Sequence, residues 1–329
     1  MYKVIFVVIF ICICGCAKTN EPVSPTLKWT KIASLPVTSL ITSSNSVYVG
    51  CTDQTNGGEK PGLYTSDHLG DTWIGHIIPN SSNRVLSLAF SGPKLYVGTE
   101  SKYINVTVGT LHGVHETSND GLSWISRRTT LYPSSNIECI VTNGNDIFLG
   151  TDDKGVYYSN NSGNNWFPMN LGMPTSKIYS LSIIGNKIWA GTDKGIILSS
   201  DYGNTWSQQV NEEYHVYAIA SSGNIVCAVG SNDTDSEVLY SSDGGLSWKN
   251  QKLPSNTGGV YSVVINNRTI YIGAENGMYI SADNCTTWQN HKTGLDNGTR
   301  IQHISISNNY IYAGSYIYGL YRANLNDLK

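Results

Sequence analysis

The sequence predicts an all-β protein, a seven-bladed β-propeller, from three observations. Units of forty-odd residues repeat along the chain, and each unit holds short runs of β-branched and aromatic residues bounded by turn formers. Four antiparallel strands per unit of this length are typical of a propeller blade. The clearest marker is a tryptophan that returns at intervals of 40 to 51 residues, as Trp29, Trp73, Trp124, Trp166, Trp206, Trp248 and Trp288.

Six of these tryptophans close an eight-residue phrase, called here the box turn. Its cleanest copies are residues 199–206 and 241–248, and the other four are residues 66–73, 117–124, 159–166 and 281–288. Short Ser, Asp and Asn side chains accept hydrogen bonds from nearby backbone N–H groups, and Gly permits a positive φ. The phrase therefore predicts a hairpin turn between the third and fourth strands of a blade.

Four copies of the box turn depart from the common phrase. Asn119 and Asn161 replace the Asp with another turn former, so these two turns should keep the same form. His68 replaces the Asp of the first copy, and Cys285 replaces the Gly of the sixth. We expect the turns of the first and sixth blades to be less regular than the others.

The box turn resembles the Asp-box, Ser-x-Asp-x-Gly-x-Thr-Trp, also called the BNR repeat. Asp-box propellers include sialidases and other glycoside hydrolases, sortilin-type receptors and the assembly-factor propellers of photosystem II. The resemblance extends over nearly the whole chain after its N-terminal segment, but the residues that carry it are structural. It implies the fold, whereas the function of a propeller depends on the site that it carries.

Three further strands are predicted between successive box turns. In the fourth unit they are residues 178–184, 188–191 and 195–199, and the strand after Trp206 is the fourth. The seventh unit, residues 301–325, supplies three strands and no box turn. The segment at Trp29 supplies the missing fourth strand, so the ring is expected to close by pairing the two ends of the chain.

The N-terminal segment predicts export and a lipid anchor. Met1 to Lys3 carry one positive charge, and residues 4–15 are apolar or small, as in a secretory signal that is too short to span a bilayer. Residues 13–16, Ile-Cys-Gly-Cys, resemble a bacterial lipobox, and this resemblance implies lipidation at Cys16. The alternative is an ordinary secretory signal with incidental cysteines. We divide the chain into a signal peptide (1–15), a tether (16–26) and a propeller (27–329), anchored by lipid in the bacterial cell envelope.

Composition argues against several classes of function. After the signal, the chain keeps Cys51, Cys139, Cys227 and Cys285, which are too few for a disulfide scaffold and are interpreted as packing residues. No His/Cys cluster indicates a metal, and we expect no cofactor. A net charge of −3 with only 21 Lys and Arg argues against nucleic-acid binding. The 21 Tyr and eight Trp, against five Phe, suit sheets whose ends meet water.

The two faces of the ring are expected to differ in role. The box turns occupy one face, called the box face. The opposite face, called the linker face, holds the turns between second and third strands and the linkers between blades. Insertions favour the linker face, at residues 51–62, 99–113 and 231–237, and binding residues usually lie on loops of a rigid scaffold.

Alignment of the first strands identifies two rows of variable residues on the linker face. The rim row, where each strand begins, contains Pro36, Arg84, Asn136, Lys177, His215, Gly259 and Arg300. The inner row, two residues further on, contains Thr38, Leu86, Glu138, Tyr179, Tyr217, Tyr261 and Gln302. From these rows the candidate ligand-binding residues are Arg84, Glu138, Lys177, Tyr179, His215, Tyr217, Tyr261, Arg300 and Gln302. The alternative is that rim residues are polar only because they meet water.

The sequence departs from the Asp-box hydrolases at the residues that their chemistry requires. A sialidase needs three arginines and an Arg-Ile-Pro phrase; the phrase is missing, and Lys177 stands where a third arginine would join Arg84 and Arg300. Xyloglucanase-type enzymes pair two propellers, and this chain has room for one. Glu138 is the only acid of the inner row, whereas Glu100, Asp152, Asp193 and Glu275 are interpreted as solvated turn acids.

The predicted function is a lipid-anchored, monomeric binding module for a glycan, peptide or protein, without catalysis. Tyrosine side chains suit both sugar faces and protein hot spots. The alternative is a glycoside hydrolase of sialidase-like or xyloglucanase-like type. Two channel carboxylates about 5 to 10 Å apart would favour that alternative.

Overall fold

The computed structural model describes residues 26–52, 61–79, 81, 84–100, 113–127, 135–210, 214–232 and 235–328. Within these ranges, 28 strands form seven sheets of four antiparallel strands. The prediction of an all-β, seven-bladed propeller is confirmed. A single turn of 3-10 helix, Leu325–Leu328, follows the last strand. The described ranges contain no helix that is both long enough and apolar enough to span a membrane.

The first three blades follow the chain from the inner strand to the outer strand. Blade one contains β2 (Val37–Ser43), β3 (Ser46–Cys51), β4 (Leu63–Ser66) and β5 (Ile74–His76). Blade two contains β6 (Val85–Ser91), β7 (Lys94–Thr99), β8 (Val114–Thr117) and β9 (Ile125–Arg127). Blade three contains β10 (Ile137–Asn143), β11 (Asp146–Thr151), β12 (Val156–Ser159) and β13 (Phe167–Pro168).

The next three blades repeat this order. Blade four contains β14 (Ile178–Ile184), β15 (Lys187–Thr192), β16 (Gly195–Ser199) and β17 (Ser207–Val210). Blade five contains β18 (His215–Ser222), β19 (Ile225–Ser231), β20 (Ser236–Ser241) and β21 (Lys249–Lys252). Blade six contains β22 (Val260–Asn266), β23 (Thr269–Ala274), β24 (Gly277–Ser281) and β25 (Gln289–His291).

Blade seven takes strands from both ends of the chain. It contains β26 (His303–Ser307), β27 (Tyr310–Ser315), β28 (Gly319–Asn324) and, outermost, β1 (Thr30–Ala33). Thr30 lies opposite Arg322 in the antiparallel β1–β28 pair. The indole N–H of Trp29 donates to the carbonyl oxygen of His291 at 2.9 Å. The segment before and within β1 is therefore attached to blades six and seven at once.

The core lies between the blades. First strands of neighbouring blades contact one another, and second strands are buried almost throughout because both faces of each sheet pack against neighbours. The position between the rim row and the inner row is always Val or Ile and is 0–3% exposed in all seven blades, as Val37, Val85, Ile137, Ile178, Val216, Val260 and Ile301. This constant apolar row fixes the height at which the variable rows emerge.

The box turn of blade four shows how the phrase specifies its own conformation. The Ser199 hydroxyl donates to Asp201 Oδ1 at 2.8 Å and accepts from the Gly203 N–H at 2.7 Å. Asp201 Oδ1 also accepts from the Thr205 N–H at 2.8 Å. Tyr202 and Gly203 have φ values of 62° and 90°. Two side-chain oxygens thus satisfy backbone donors that the turn leaves without partners.

The expected irregularity of two box turns is wrong for blade six and correct in part for blade one. In blade six, the Cys285 N–H donates to Ser281 Oγ at 3.0 Å, and Cys285 adopts a φ of 65° despite its Cβ. The turn keeps its form because its bonds come from Ser and Asp side chains. In blade one, the Gly70 N–H still donates to Ser66 Oγ at 2.9 Å, but His68 has no carboxylate to accept the later N–H.

Candidate functional site

The inner row of the linker face coincides with a β-bulge. In blades one to six, the register between first and second strand skips one residue, for example between Ile178 and Ser180. A bulge leaves the extra residue out of the ladder and redirects its side chain. The six bulged residues are Thr38, Leu86, Glu138, Tyr179, Tyr217 and Tyr261. Alignment located this row, but the bulge itself was not predicted.

Tyr179 and Tyr217 form an aromatic contact between neighbouring blades. Their ring centroids are 5.6 Å apart at an interplanar angle of 64°, and the Lys177 ammonium lies 5.2 Å from the centroid of Tyr179. Tyr217 is 37% exposed, and its hydroxyl is 3.0 Å from Ser231 Oγ. The His215 ring centroid is 6.5 Å from that of Tyr217. The candidates of blades four and five are therefore brought together.

Tyr261 is the corresponding residue of blade six, and the three side chains Tyr179, Tyr217 and Tyr261 are called here the aromatic wall. Burial and the Glu275 carboxylate raise the pKa of its hydroxyl, and its electrostatic neighbours include Tyr217 and Arg300. A Cβ at Gly259 would lie 2.8 Å from the Tyr261 hydroxyl oxygen, so the absence of a side chain at residue 259 makes room for the ring. The three tyrosines predicted for three successive blades thus line one side of the linker face.

Arg84 and Arg300 lie in separate ion pairs. Arg84 Nη1 is 2.6 Å from Glu100 Oε1, and Arg300 Nη2 is 2.6 Å from Glu275 Oε1. The second pair joins blade seven to blade six. Each arginine is already matched by a carboxylate, so the two do not form the start of a cationic cluster for an anionic ligand.

The interpretation of four acids as solvated turn acids is wrong, because each has a polar partner; they are Glu100, Asp152, Asp193 and Glu275. Besides the two glutamates in ion pairs, Asp152 accepts from the Asn136 N–H at 3.0 Å, and Asp193 accepts from the Thr175 hydroxyl at 2.6 Å. The physical reason is topological. The end of a second strand lies beside the start of its own first strand, so an acid there can reach the linker that enters the blade. Glu275 accepts from the Gly259 N–H of that linker and also pairs with Arg300 of the next one.

Glu138 and Asp152 form an electrostatic pair of acids. Burial, followed by the Asp152 charge, raises the pKa of Glu138, while Arg84 and Lys177 act in the opposite direction. Burial also raises the pKa of Asp152. A catalytic role on this face would most directly use these two interacting acids.

Gln302 and His303 complete the row in blade seven. Gln302 Oε1 accepts from the Tyr316 N–H at 2.9 Å, which ties the first strand to the turn after β27. The next residue in the other blades is Ser, Cys or Ala, but in blade seven it is His303, where burial lowers the pKa to about 4. His303 was not predicted as a site residue, although an alignment carried one residue further shows it as the single histidine of that row.

Two polar grooves open beside the aromatic wall. The first, of about 330 Å³, lies between the second-to-third strand turn of blade five and the linker to blade six, and its lining includes Ser231 and Gly259. The second, of about 570 Å³, lies one blade further on and includes Asn256, Glu275 and Asn297. The two grooves are separated by a hydrogen bond: the Asn276 N–H of the second groove donates to the Thr257 carbonyl oxygen of the first at 3.2 Å.

Some predicted features lie outside the described residues. These are Cys16, the tether up to residue 25, and most of the insertions at residues 51–62 and 99–113. Within the described ranges, no group of three or more His, Cys, Asp or Glu side chains could hold a metal ion.

Sequence comparisons match a limited part of the chain. Residues 180–263 match the family described as Sortilin, neurotensin receptor 3. The vacuolar protein sorting/targeting protein 10 of Laccaria bicolor is 30% identical over 81 residues, which are 25% of this chain and 5% of that protein. The chain therefore corresponds to a small part of that relative's length.

Structural comparisons cover nearly the whole propeller. YCF48 bound to D1 peptide has a TM-score of 0.67 at 16% identity, covering 90% of this chain and 96% of that chain. The extracellular domain of the one component system BT4673 from B. thetaiotaomicron gives 0.68 at 16%, covering 91% and 40%. The GH74 xyloglucanase from Xanthomonas campestris gives 0.68 at 13%, covering 92% and 54%. At these identities the similarity shows the fold alone.

Proposed function

We propose that this chain is a non-catalytic binding module that recognises a peptide or protein segment on its linker face. The observation that carries the proposal is the aromatic wall of Tyr179, Tyr217 and Tyr261, presented on bulges of three successive blades beside two polar grooves. Half-exposed tyrosines next to satisfied polar groups are common at protein hot spots. YCF48, a propeller of the same fold, has been solved with a peptide bound.

The ring geometry favours a peptide over a glycan. Sugar rings stack on aromatic faces that are flat and open, but Tyr179 meets Tyr217 edge to face and has the Lys177 ammonium over its ring. The wall therefore offers ring edges and hydroxyls. The linings of the grooves beside it include side-chain amides and glycine backbone, groups that pair well with an extended main chain.

The same site would lie at the membrane surface if the predicted lipid is attached to Cys16. The residues before Thr26 then act as a tether that holds the propeller near the bilayer while the linker face remains free to bind. Replacement of Cys16 by Ser should release the protein from membranes or leave an unprocessed precursor. Unchanged partitioning of Cys16→Ser into detergent would contradict this part of the proposal.

The binding proposal is tested by offering the full chain a random peptide display library and a glycan array in parallel. We expect peptides to be enriched and the array to stay blank. Each tyrosine that acts as an anchor should contribute about 1–3 kcal/mol, so the triple Tyr179→Ala, Tyr217→Ala, Tyr261→Ala variant should lose at least tenfold in affinity. Leu246→Ala is the matched control, since Leu246 is 84% exposed on the box face.

Two results would overturn the proposal. Enrichment of glycans alone would mean that the ligand class is wrong. Loss of peptide affinity in Leu246→Ala, with full affinity in the triple variant, would mean that the ligand binds the other face.

A glycoside hydrolase remains the second candidate because Glu138 and Asp152 interact and both have a raised pKa. A protonated Glu138 could donate a proton to a leaving group, with Asp152 as the second carboxylate. Hydrolysis of a β-glucan or aryl glycoside panel that is abolished in Glu138→Gln and in Asp152→Asn would favour this candidate over pure binding.

A further inference from the structure

One position of the second strand is aromatic in six of the seven blades. It is the third residue of the strand, and its aromatic members are Tyr48, Tyr96, Phe148, Trp189, Tyr271 and Tyr312. These side chains are at most 5% exposed. In blade five the position is Cys227. The exception replaces a large ring by a small thiol at a fully buried site.

The aromatic member of one blade packs against the box turn of the next blade. The Tyr48 hydroxyl donates to Asp120 at 2.6 Å, and the Tyr312 hydroxyl donates to the Leu69 carbonyl oxygen at 3.2 Å. Phe148 lies 3.2 Å from the Cβ position of Gly203. The partner of Cys227 is therefore expected in the box turn of blade six.

The fifth position of the box turn is glycine in five blades, with φ values from 81° to 97°. The space for a side chain differs between blades: a Cβ at Gly121 would lie 2.6 Å from the His76 ring, whereas a Cβ at Gly203 would lie 3.2 Å from Phe148. In blade six this position is Cys285, and its φ of 65° is in the same left-handed region. A residue with a Cβ adopts this conformation at a cost, so the surroundings must favour the side chain.

The two exceptions to the repeat meet at the interface between blades five and six. Cys227 and Cys285 pack within one apolar cluster at this interface, their thiols interact electrostatically, and the two residues are 0% and 1% exposed. The loss of an aromatic ring on one blade is matched by the gain of a sulfur on the next. Cys51 and Cys139 lie in blades one and three, away from this cluster.

We propose that Cys227 and Cys285 are a cross-linking site, at which a disulfide bond joins blade five to blade six. One thiolate attacks the disulfide of an oxidant such as glutathione disulfide and releases a first glutathione thiol. The second thiolate then displaces the other glutathione from the mixed disulfide. Two S–H bonds break, one Sγ–Sγ bond forms, and the two electrons reduce the glutathione disulfide to two thiols.

The environment of the pair determines when the bond forms. The neighbouring Cys285 thiol, together with burial, raises the pKa of the Cys227 thiol, and thiolates are the reactive species. The folded, reduced protein should therefore oxidise slowly, and cross-linking should take place while the blades assemble. The bond would close a loop between two positions 58 residues apart, which restricts the unfolded chain.

The test is a peptide map of the full chain after unfolding in urea and refolding with glutathione disulfide as the oxidant. Free thiols are alkylated before digestion. We expect Cys227 in a peptide linked to Cys285, with Cys51 and Cys139 recovered as alkylated residues. Recovery of Cys227 and Cys285 as separate alkylated or glutathionylated residues, or linked to other cysteines, would overturn the proposal.

A thermal measurement checks the same proposal independently. Oxidation should raise the melting temperature of the parent by roughly 5 to 10 °C, since a loop of this length is closed. Cys285→Gly restores the glycine of the other box turns, should fold, and should show no such rise. Cys139→Ser is the matched control and should keep the rise. Equal shifts in the parent and in Cys285→Gly would contradict the cross-link.

Discussion

The box face and the linker face are built from opposite ends of the same strands, but they use repetition in different ways. On the box face, Ser199, Ser241 and Ser281 donate and accept the same hydrogen bonds at the same positions of their turns. On the linker face, the bulge recurs in six blades, yet its side chain ranges from Leu86 to Glu138. The repeat therefore fixes the backbone conformation on both faces, but it fixes the identity of the side chains only on the box face.

This difference separates two kinds of constraint. A side chain that satisfies the backbone of its own turn cannot vary without loss of stability. A bulged side chain lies outside the strand ladder and satisfies no donor of its own turn, so it can change from blade to blade; only Thr38 among the six described bulge residues bonds a backbone group, donating to the Val85 carbonyl oxygen. A constant backbone with variable side chains is the arrangement that a selective binding surface requires.

The largest effect should come from a glycine of the box face. Gly121→Val places a branched side chain at a φ of 91° and against the His76 ring, so the free energy of unfolding should fall by about 3 kcal/mol or more. Gly259→Ala on the linker face meets only the end of the Tyr261 side chain and should lower it by less than about 1 kcal/mol. Urea denaturation measures both, and equal losses would remove the distinction between the faces.

The second largest effect should be a loss of stability in acid that is caused by His303 at the linker face. Burial lowers the folded-state pKa of His303 from 6.5 to about 4, so the unfolded chain binds a proton first as the pH falls. The contribution of the neutral His303 to stability is fully present above pH 6.5. The free energy of unfolding should fall by about 1–3 kcal/mol as the pH decreases from 6.5 to 4. His303→Ser, the residue found in most other blades, should flatten the unfolding free energy over that range. A profile that is the same in both proteins would show that His303 does not control it.

A smaller gain should follow from repairing the irregular box turn. His68→Asp gives blade one the carboxylate that accepts a backbone N–H in blades four, five and six. We expect the free energy of unfolding to rise by about 0.5–1 kcal/mol, as for a restored helix cap. His68→Asn, which can accept the same bond without charge, should behave similarly, as Asn119 and Asn161 already do. A loss in both variants would mean that blade one needs its histidine.

The smallest effect on stability should come from the ion pairs of the linker face. Arg84 and Glu100 have side chains that are 40% and 32% exposed, so their attraction is screened by water. Arg84→Gln combined with Glu100→Gln should change the unfolding free energy by less than about 1 kcal/mol, and the difference should shrink in high salt. A larger, salt-independent loss would place this pair among the structural groups.

The parts of the fold that depend on short stretches of sequence could be predicted. The hydrogen bonds that the Ser199 and Asp201 side chains make with the backbone of their own turn join residues at most four apart, so a single copy of the phrase contains them. The strands of blade four follow from the residues themselves and match the predicted ranges to within one residue at either end. Six copies in register give six blades, and the three strands after residue 301 with the segment at Trp29 give the seventh.

The parts that depend on register and on neighbouring blades could not be predicted. A bulge at Tyr179 needs knowledge of which residue lies opposite it, and nothing in the local sequence of β14 marks the skipped residue. The pairing of Arg300 with Glu275 crosses from one blade to the next, so it depends on the blade spacing. The same holds for Cys227 and Cys285, whose relation becomes visible only when the columns of adjacent repeats are compared.

The shared seventh blade has a consequence for the order in which the protein can be completed. Thr30 emerges from the ribosome before the strands of the other six blades, yet its partner Arg322 belongs to the last strand of the ring. At about 5–20 residues per second, the first strand waits roughly 15 to 60 s for that partner. Until β28 is available, β1 has no partner strand and the ring stays open. Chaperones that shield strand edges should therefore matter most before β1 pairs with β28.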